Sequence, residues 1–216
     1  MQSPTLTTYR SLGKVVREER GRMNMNTKQR IELAARRRFA LEGYEGLSLA
    51  ALAEDVGIKK ASLYAHIEGK EQLFKQVVEE MANRYDRVWR DAREATVEAT
   101  PLDRIEAIIE ALINFFEEEE TWMLTKRMLL VPPPELRTFI ETTLGSVEVE
   151  LQAFEKEQFR LAMEQGALPV QSLEDVYDAY YCFLDGALIS LFTLETNRVK
   201  RQRAAFAIFK KGVGWT

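Results

Sequence analysis

The chain has 216 residues, of which 46% are hydrophobic and 30% charged, and its formal net charge is −4. This balance is typical of a soluble protein with a sizeable core, and no apolar run is long enough to span a membrane. A single cysteine and a single histidine exclude an intrachain disulfide framework and a zinc site built from Cys and His. We therefore expect a cytoplasmic protein that needs no metal or cofactor.

Charge is distributed unevenly along the chain. The first 75 residues hold fourteen Lys and Arg against nine Asp and Glu, whereas the remaining residues hold sixteen against twenty-five. The basic first 75 residues favour contact with a polyanion, whereas the acidic remainder gives no such indication. Residues 1–26 lack a sustained helical period and are predicted to form a basic N-terminal arm, either flexible or folded as a frayed helix.

Two short helices are predicted at the start of the segment 27–74. Thr27 is the expected N-cap of the first helix, whose apolar spacing continues to a stop at Gly43. Ser48 is the expected N-cap of the second helix. Gly57 ends that helix, because glycine adopts the left-handed conformation that helix ends favour.

A third short helix is expected over about 59–66, and a long fourth helix over about 71–99. Beyond Pro101 the apolar patterns are also helical, with a break at the triple proline of 132–134. A helix over 172–196 and a shorter one complete the series. With no strand pattern and no repeat of fixed period, the sequence predicts an all-α fold.

The stretch GIKKASLYAHIEGKEQLF (57–74) admits two interpretations, a phosphate-binding loop or the reading part of a helix-turn-helix. The phosphate loop fails on spacing, because Glu71 follows the Gly-Lys pair at 69–70 where Ser or Thr is needed, and no glycine lies five residues before that pair. The helix-turn-helix fits, since Gly57 permits the turn and Leu63 faces a small core. The basic and polar side chains of the stretch are then expected to face outward.

Residues 31–74 strongly resemble the DNA-binding domain of the tetracycline-repressor (TetR) family of bacterial transcription regulators. Three positions depart from the family pattern, with Lys59 in place of a capping Ser or Thr, Ala61 in place of Gly and Ile67 in place of Phe. The residues that meet the pattern are Ala34, Ala35, Phe39, Gly43, Tyr44, Ser48, Ala53, Gly57, Leu63, Tyr64, His66, Lys70, Glu71 and Leu73.

The resemblance implies two domains. A three-helix helix-turn-helix DNA-binding domain would occupy 27–74, and a larger helical domain for effector binding and dimerisation would occupy 75–216. The helices beyond Pro101 agree with this plan in number and length but carry no diagnostic motif.

The resemblance also implies which residues contact DNA. Ser48, Tyr64 and Lys70 are expected at phosphates, which helix N-termini and basic groups attract. The remaining third-helix residues would face bases or the adjacent backbone, with Lys60 and Ser62 favoured as base readers. The histidine is expected to pack or to bind a phosphate. The full set of expected contacts is Ser48, Lys59, Lys60, Ala61, Ser62, Tyr64, His66 and Lys70.

The helix predicted over 172–196 is apolar on nearly every side, so other elements must cover it. The resemblance implies that it pairs, together with the last helix, with the same two helices of a second copy. A central core helix of a monomer is the alternative. Asp185 interrupts the apolar helix, and a buried acid there would need a cationic ligand, an arginine or the dimer mate. The expected dimer contacts are Tyr180, Phe183, Leu184, Leu188, Leu191, Ala205, Ile208 and Phe209.

Large side chains in the middle of the chain are candidates for an effector pocket, although each one also fits plain core packing. They are Phe115, Phe116, Trp122, Met123, Met128, Phe154, Phe159, Tyr177 and Tyr181. No Gly-x-Ser-x-Gly motif occurs, and the single Cys and His lie far apart, so no enzyme activity is expected. The acidic run 117–120 is interpreted as solvated surface rather than as a metal site.

Together these patterns predict a DNA-binding transcription regulator, most simply a homodimeric repressor that a small, largely apolar effector releases from its operator. A ligand-responsive activator is an alternative within the same class. A helical interaction protein without sequence-specific DNA binding is the rival from another class. Double-stranded operator DNA, a second copy of the chain and the effector are the expected partners, and no membrane partner is expected.

Overall fold

The computed structural model of the chain describes residues 25–169, 172–190 and 197–215. Every regular element in these ranges is a helix, which confirms the all-α prediction. Most of the predicted arm 1–26, and the predicted dimer contact Leu191, lie outside these ranges. Within them, no helix combines the length and the hydropathy that crossing a membrane requires.

The chain divides into two compact units, Met1–Phe74 and Lys75–Thr216. Helix α4 begins in the first unit and continues into the second. The helices are α1 (Thr27–Gly46), α2 (Leu49–Val56), α3 (Lys60–Leu63), α4 (Lys70–Ala95), α5 (Pro101–Glu117), α6 (Glu119–Leu130), a 3-10 turn (Pro134–Leu136), α7 (Arg137–Glu164), α8 (Leu173–Ser190) and α9 (Arg198–Gly212).

Helix α1 is capped by Asn26, one residue before the predicted cap. The Asn26 side chain accepts a hydrogen bond from the Gln29 backbone, and the Gln29 side chain accepts one from the Asn26 backbone, both at 3.0 Å. This reciprocal pair satisfies two backbone donors that the start of a helix leaves free. The prediction of Thr27 as the cap is therefore wrong by one residue. Gly43, with φ 78°, kinks α1 before its last turn, a conformation that glycine adopts at little cost.

The turn between α2 and α3 has the predicted construction. Gly57 lies in the left-handed region with φ 73°, and the N–H groups of Gly57 and Ile58 donate to carbonyls in the last turn of α2 at 3.0 Å. Helix α3 is shorter than predicted, because its α-helical segment ends at Leu63. The N–H groups of Ala65 and His66 instead donate to carbonyls three residues back, which gives a tighter turn.

An aromatic cluster and an ion pair hold the helices of the first unit together. The ring of Phe74 packs edge-on against Phe39 and Tyr44, with centroid distances of 4.9 and 5.1 Å. Arg38 on α1 donates two hydrogen bonds to the carboxylate of Asp55 on α2, one of them at 2.9 Å. A bidentate pair of this kind fixes direction as well as distance. Helix α3 is therefore attached to a well-defined frame.

Two apolar clusters form the core of the second unit. The larger cluster joins α5, α7, α8 and α9, and its fully buried Phe159 and Tyr180 lie 5.1 Å apart between ring centroids. Trp215, just beyond α9, closes this cluster with its ring 6.1 Å from Phe159. The smaller cluster packs Trp89 of α4 against Ile108 of α5, and α7 also contributes to this cluster. Burial of these large side chains supplies most of the stabilisation that such helices need.

Candidate nucleic-acid interface and effector cavity

Helix α3 and the residues around it present a continuous exposed surface. Leu63 is fully buried and Ile67 is 5% exposed, so these two side chains anchor the segment in the first unit. Tyr64, between them in sequence, is 51% exposed. The predicted DNA contacts of this segment, all of them exposed, are Lys59, Lys60, Ala61, Ser62, Tyr64 and His66.

The two other predicted DNA contacts lie at the starts of helices. Ser48 is the exposed N-cap residue of α2, and its hydroxyl makes no capping hydrogen bond. Lys70 opens α4, but its ammonium group donates to the Glu45 carbonyl at 3.1 Å and lies 4.7 Å from the centroid of the Tyr44 ring. Lys70 therefore ties α4 to the end of α1, which gives it a structural role beside the predicted phosphate contact.

A cavity of about 440 Å³ lies in the second unit, enclosed by residues of α4 to α9. This volume is in the range of small-molecule sites. Most of the wall is apolar or aromatic, with Tyr85 from α4 and Phe183 from α8 among its rings. Four of the predicted pocket residues line it, namely Phe115, Phe116, Met128 and Tyr181.

The other five predicted pocket residues are not part of the cavity wall. Phe159 and Tyr177 are buried in the larger apolar cluster, where their rings pack edge to face with centroids 6.4 Å apart. Phe154 packs on the smaller cluster. Trp122 and Met123 are half-buried on α6, away from the cavity-lining positions of that helix. Helical spacing places all of these side chains on inward faces, but it does not distinguish a core from a cavity.

The cavity wall contains one carboxylate held by two tyrosines. The hydroxyl groups of Tyr85 and Tyr181 donate to the two oxygens of Glu148, at 3.1 and 2.9 Å. Burial and the neighbouring Glu148 charge raise the pKa of both tyrosines above the usual value. Both phenols therefore stay protonated and act as donors to the carboxylate. Gln152 donates in turn to the Tyr181 oxygen at 2.9 Å, which orients that hydroxyl.

A second carboxyl group, Glu155, is completely buried about two helical turns beyond Glu148 on α7. The Tyr180 hydroxyl donates to one of its oxygens at 2.6 Å, and its other oxygen has no partner within the described part of the chain. Burial raises the pKa of Glu155 to about 8, against the smaller opposing effect of the Tyr180 hydrogen bond. Glu155 is thus uncharged over much of the neutral range.

Helices α8 and α9 do not bury every side within one copy of the chain. Tyr180 is completely buried in the core, and the predicted dimer contacts Phe183, Leu184 and Leu188 line the cavity. Phe209 is half-buried, whereas Ala205 and Ile208 are exposed.

The exposed side of α8 carries both small and acidic side chains, and Asp185 lies on it rather than in the core. Asp185 is therefore not buried within one copy of the chain, because the helix has a solvent-facing side. The exposed small or apolar residues of the two helices include Ala179, Cys182, Gly186, Ile189, Ala205 and Ile208.

Polar residues of the cavity were missed by the sequence analysis. Glu148 and Gln202 both line the wall, yet neither is among the large side chains that the sequence predicted for the pocket. One signal for Glu148 is present in the sequence, since Glu141 lies seven residues before it and therefore on the same face of α7. Nothing in the sequence pattern of α9 sets Gln202 apart from its neighbours.

Comparison with known proteins identifies the N-terminal unit. Residues 32–77 match the family described as "Bacterial regulatory proteins, tetR family". The chain is 27% identical over 135 residues to the nucleoid occlusion factor SlmA of Aliivibrio fischeri, covering 60% of this chain and 65% of SlmA. It is 35% identical over 88 residues to the HTH-type transcriptional regulator LmrA of Bacillus subtilis, covering 40% of this chain and 46% of LmrA.

A solved structure extends the likeness beyond the first unit. The crystal structure of AibR in complex with isovaleryl coenzyme A and operator DNA superposes with a TM-score of 0.59, covering 88% of this chain and 100% of that chain at 18% identity. At this identity the superposition demonstrates a shared fold, here of both helical units. The match at 32–77 agrees with the resemblance drawn from the sequence and points to a regulator rather than an enzyme. By this match, residues 32–77 carry the N-terminal domain of the tetR family of bacterial regulatory proteins.

Proposed function

We propose that the chain is a DNA-binding transcription regulator that works as a homodimer and is released from its operator by a small, largely apolar effector. The observation that carries this proposal is the exposed surface of α3, where basic and polar side chains surround Tyr64 while Leu63 and Ile67 hold the segment in place. Short polar and basic groups on a small helix are suited to the edges of bases and to phosphates in a major groove.

The effector part of the proposal is supported by the cavity of about 440 Å³, whose wall is mostly apolar. The fold is compatible with both ligands, since the related AibR structure contains isovaleryl coenzyme A and operator DNA together. Helix α4 contributes Met81 and Tyr85 to the cavity wall and Lys70 to the first unit. A ligand that binds the released conformation more tightly than the DNA-bound one would shift the equilibrium through α4.

The dimer part is supported by the exposed stripes of α8 and α9. Ile208 is 69% exposed and Ile189 is 60% exposed, and the residues around them are small. Small side chains allow two helices to approach closely, and isoleucines gain stability when they are covered. A second copy offers the same surface, so a two-fold contact is self-complementary. Paired copies would then present two α3 surfaces to two half-sites on DNA.

The test is selection of bound sequences from a pool of random duplexes, with the purified protein freed of co-purified small molecules. We expect a palindromic motif with half-sites about one helical turn apart. Tyr64→Phe removes one phosphate donor and should weaken binding by roughly three- to tenfold. Lys60→Ala should change the preferred bases. Lys156→Ala removes the same charge from α7, in the second unit, and should change neither property.

Enrichment of no sequence would contradict the proposal and favour the interaction protein without sequence-specific binding. A motif that Lys60→Ala leaves unchanged would show that other residues read the bases. Repressor and activator are separated by a reporter gene placed behind the selected motif, because only a repressor lowers its expression.

A further inference from the structure

The charged groups around the cavity are mainly acidic. Three carboxylates, Glu141, Glu148 and Asp185, line it, whereas the basic side chain of Arg137 stands alone among the described lining residues. Glu141, Asp185 and Arg137 are exposed and mark the open side, while Glu148 is half-buried. A cavity with this charge balance favours a cationic ligand over an anionic one.

Glu148 has neutral donors but no cation beside it. Its two hydrogen bonds come from Tyr85 and Tyr181, and none of the ion pairs within 25–169, 172–190 and 197–215 includes it. A half-buried carboxylate gains most from a partner of opposite charge, because the surrounding apolar wall weakens its solvation. The two tyrosines hold this carboxylate in a fixed orientation in the wall.

A further acceptor in the wall has no partner. Gln202 is 3% exposed, and its amide nitrogen donates to the Ala187 carbonyl at 2.8 Å. That bond fixes the side chain, and its carbonyl oxygen is buried without a hydrogen-bond partner in the described ranges. A buried acceptor left unpaired has lost its hydration without compensation, a loss that a ligand N–H group would relieve. The wall therefore offers a second site for a ligand that donates.

Aromatic rings form part of the cavity wall as well. Tyr85 contacts both Phe115 and Phe116, with centroid distances of 6.3 and 6.1 Å, and all three rings line the cavity. Faces of such rings attract cations. Arg84 already lies 5.3 Å from the Phe115 centroid, but it does not line the cavity and pairs with Glu118 at 2.7 Å.

We propose that the cavity binds an organic cation with an apolar body, its charged end beside Glu148 and Asp185 and its body against the aromatic and aliphatic wall. This proposal specifies the chemical class of the effector proposed above. It rests on the proposed function only for the effect of binding on DNA affinity, not for the binding itself. A metal ion suits the site poorly, since no three His, Cys, Asp or Glu side chains cluster within the described residues. An acidic or purely apolar ligand would leave the carboxylates without a partner.

The test uses tetraphenylphosphonium and tetraphenylborate, two ions of the same shape and opposite charge, in calorimetric titrations without DNA. We expect binding of the phosphonium ion and no comparable binding of the borate. Glu148→Gln removes the charge, keeps an acceptor for one of the two tyrosines and should weaken phosphonium binding about tenfold or more. Glu150→Gln removes the same charge from an exposed position of α7 that does not line the cavity, and should leave the affinity unchanged.

Asp185→Asn provides a second variant at an exposed position, so the test does not depend on the folding of one mutant. Equal or tighter binding of the borate, or a phosphonium affinity that neither variant lowers, would overturn the proposal. Its failure is distinguishable from failure of the proposed function, because operator binding is measured separately in the presence of each ion. A cation that binds but leaves operator affinity unchanged supports the ligand class and contradicts the release mechanism.

Discussion

At the scale of single residues, Glu155 is the group whose charge depends most directly on the fold. It is completely buried, and the Tyr180 hydroxyl is its hydrogen-bond donor at 2.6 Å. Burial raises its pKa from 4.5 to about 8. In the unfolded chain the carboxyl ionises near its ordinary pKa, whereas in the folded chain it stays protonated up to about 8. Its contribution to stability is therefore fully present below about 4.5 and is lost as the pH rises through about 8.

Glu155→Gln removes this titration while keeping an oxygen that accepts from Tyr180. We expect the variant to match the parent protein in free energy of unfolding near pH 4.5 and to exceed it at pH 9, by on the order of 4 kcal/mol. Urea unfolding across this pH range measures the difference. Glu157→Gln, at an exposed position on the same helix, is the control and should show no such trend. A constant difference between Glu155→Gln and the parent protein would contradict a raised pKa.

At the scale of elements, the turn between α2 and α3 determines how the proposed DNA-contacting surface is held. Gly57 has φ 73°, and its backbone N–H and that of Ile58 cap the end of α2. A Cβ atom at this position would lie 3.7 Å from the guanidinium of Arg30, an ordinary contact. Glycine is therefore favoured here because the backbone has a positive φ, and not because a larger side chain would lack room.

Gly57→Ala should accordingly lower the free energy of unfolding by about 1–2 kcal/mol. Gly69→Ala is the matched control, because its φ is outside the left-handed region and a Cβ atom there meets nothing within 4 Å. Chemical unfolding of both variants gives the comparison. Similar losses for the two substitutions would show that the left-handed turn is not what stabilises this segment.

At the scale of the whole molecule, the surfaces of α8 and α9 decide between a monomer and a dimer. Their exposed stripes carry small residues and the well-exposed Ile189 and Ile208. These two side chains belong to neither apolar cluster within the described residues, so the proposed contact with a second copy would bury apolar surface that one copy leaves exposed.

Ile208→Asp should convert a dimer to a monomer in sedimentation experiments, because a carboxylate at the centre of an apolar contact loses its solvation. Val149→Asp is the control, since Val149 is 67% exposed, close to the 69% of Ile208, but lies on α7 outside the proposed contact. A parent protein that sediments as a monomer at all concentrations tested would contradict the homodimer. So would an Ile208→Asp variant that remains dimeric.

The sequence by itself determined the features that depend on local conformation and spacing. It predicted an all-α chain, the stop of α2 at Gly57, the outward side chains around Tyr64 and the inward Leu63, because a helix period of 3.6 residues and the conformational freedom of glycine act over a few residues. The cap of α1 shifted to Asn26 because two neighbouring polar residues compete for the same role, and only the hydrogen bonds with Gln29 decide between them.

Only the tertiary structure decided whether an inward side chain packs in the core or lines the cavity. Helical spacing places Phe159 and Phe116 alike on inward faces, yet Phe159 lies in the packed core and Phe116 lines the cavity. Glu148 reaches the cavity wall because Tyr85 and Tyr181, from two other helices, donate to its two oxygens. Such contacts join residues far apart in the chain, and no local pattern encodes them, since they depend on how several helices pack around a shared space.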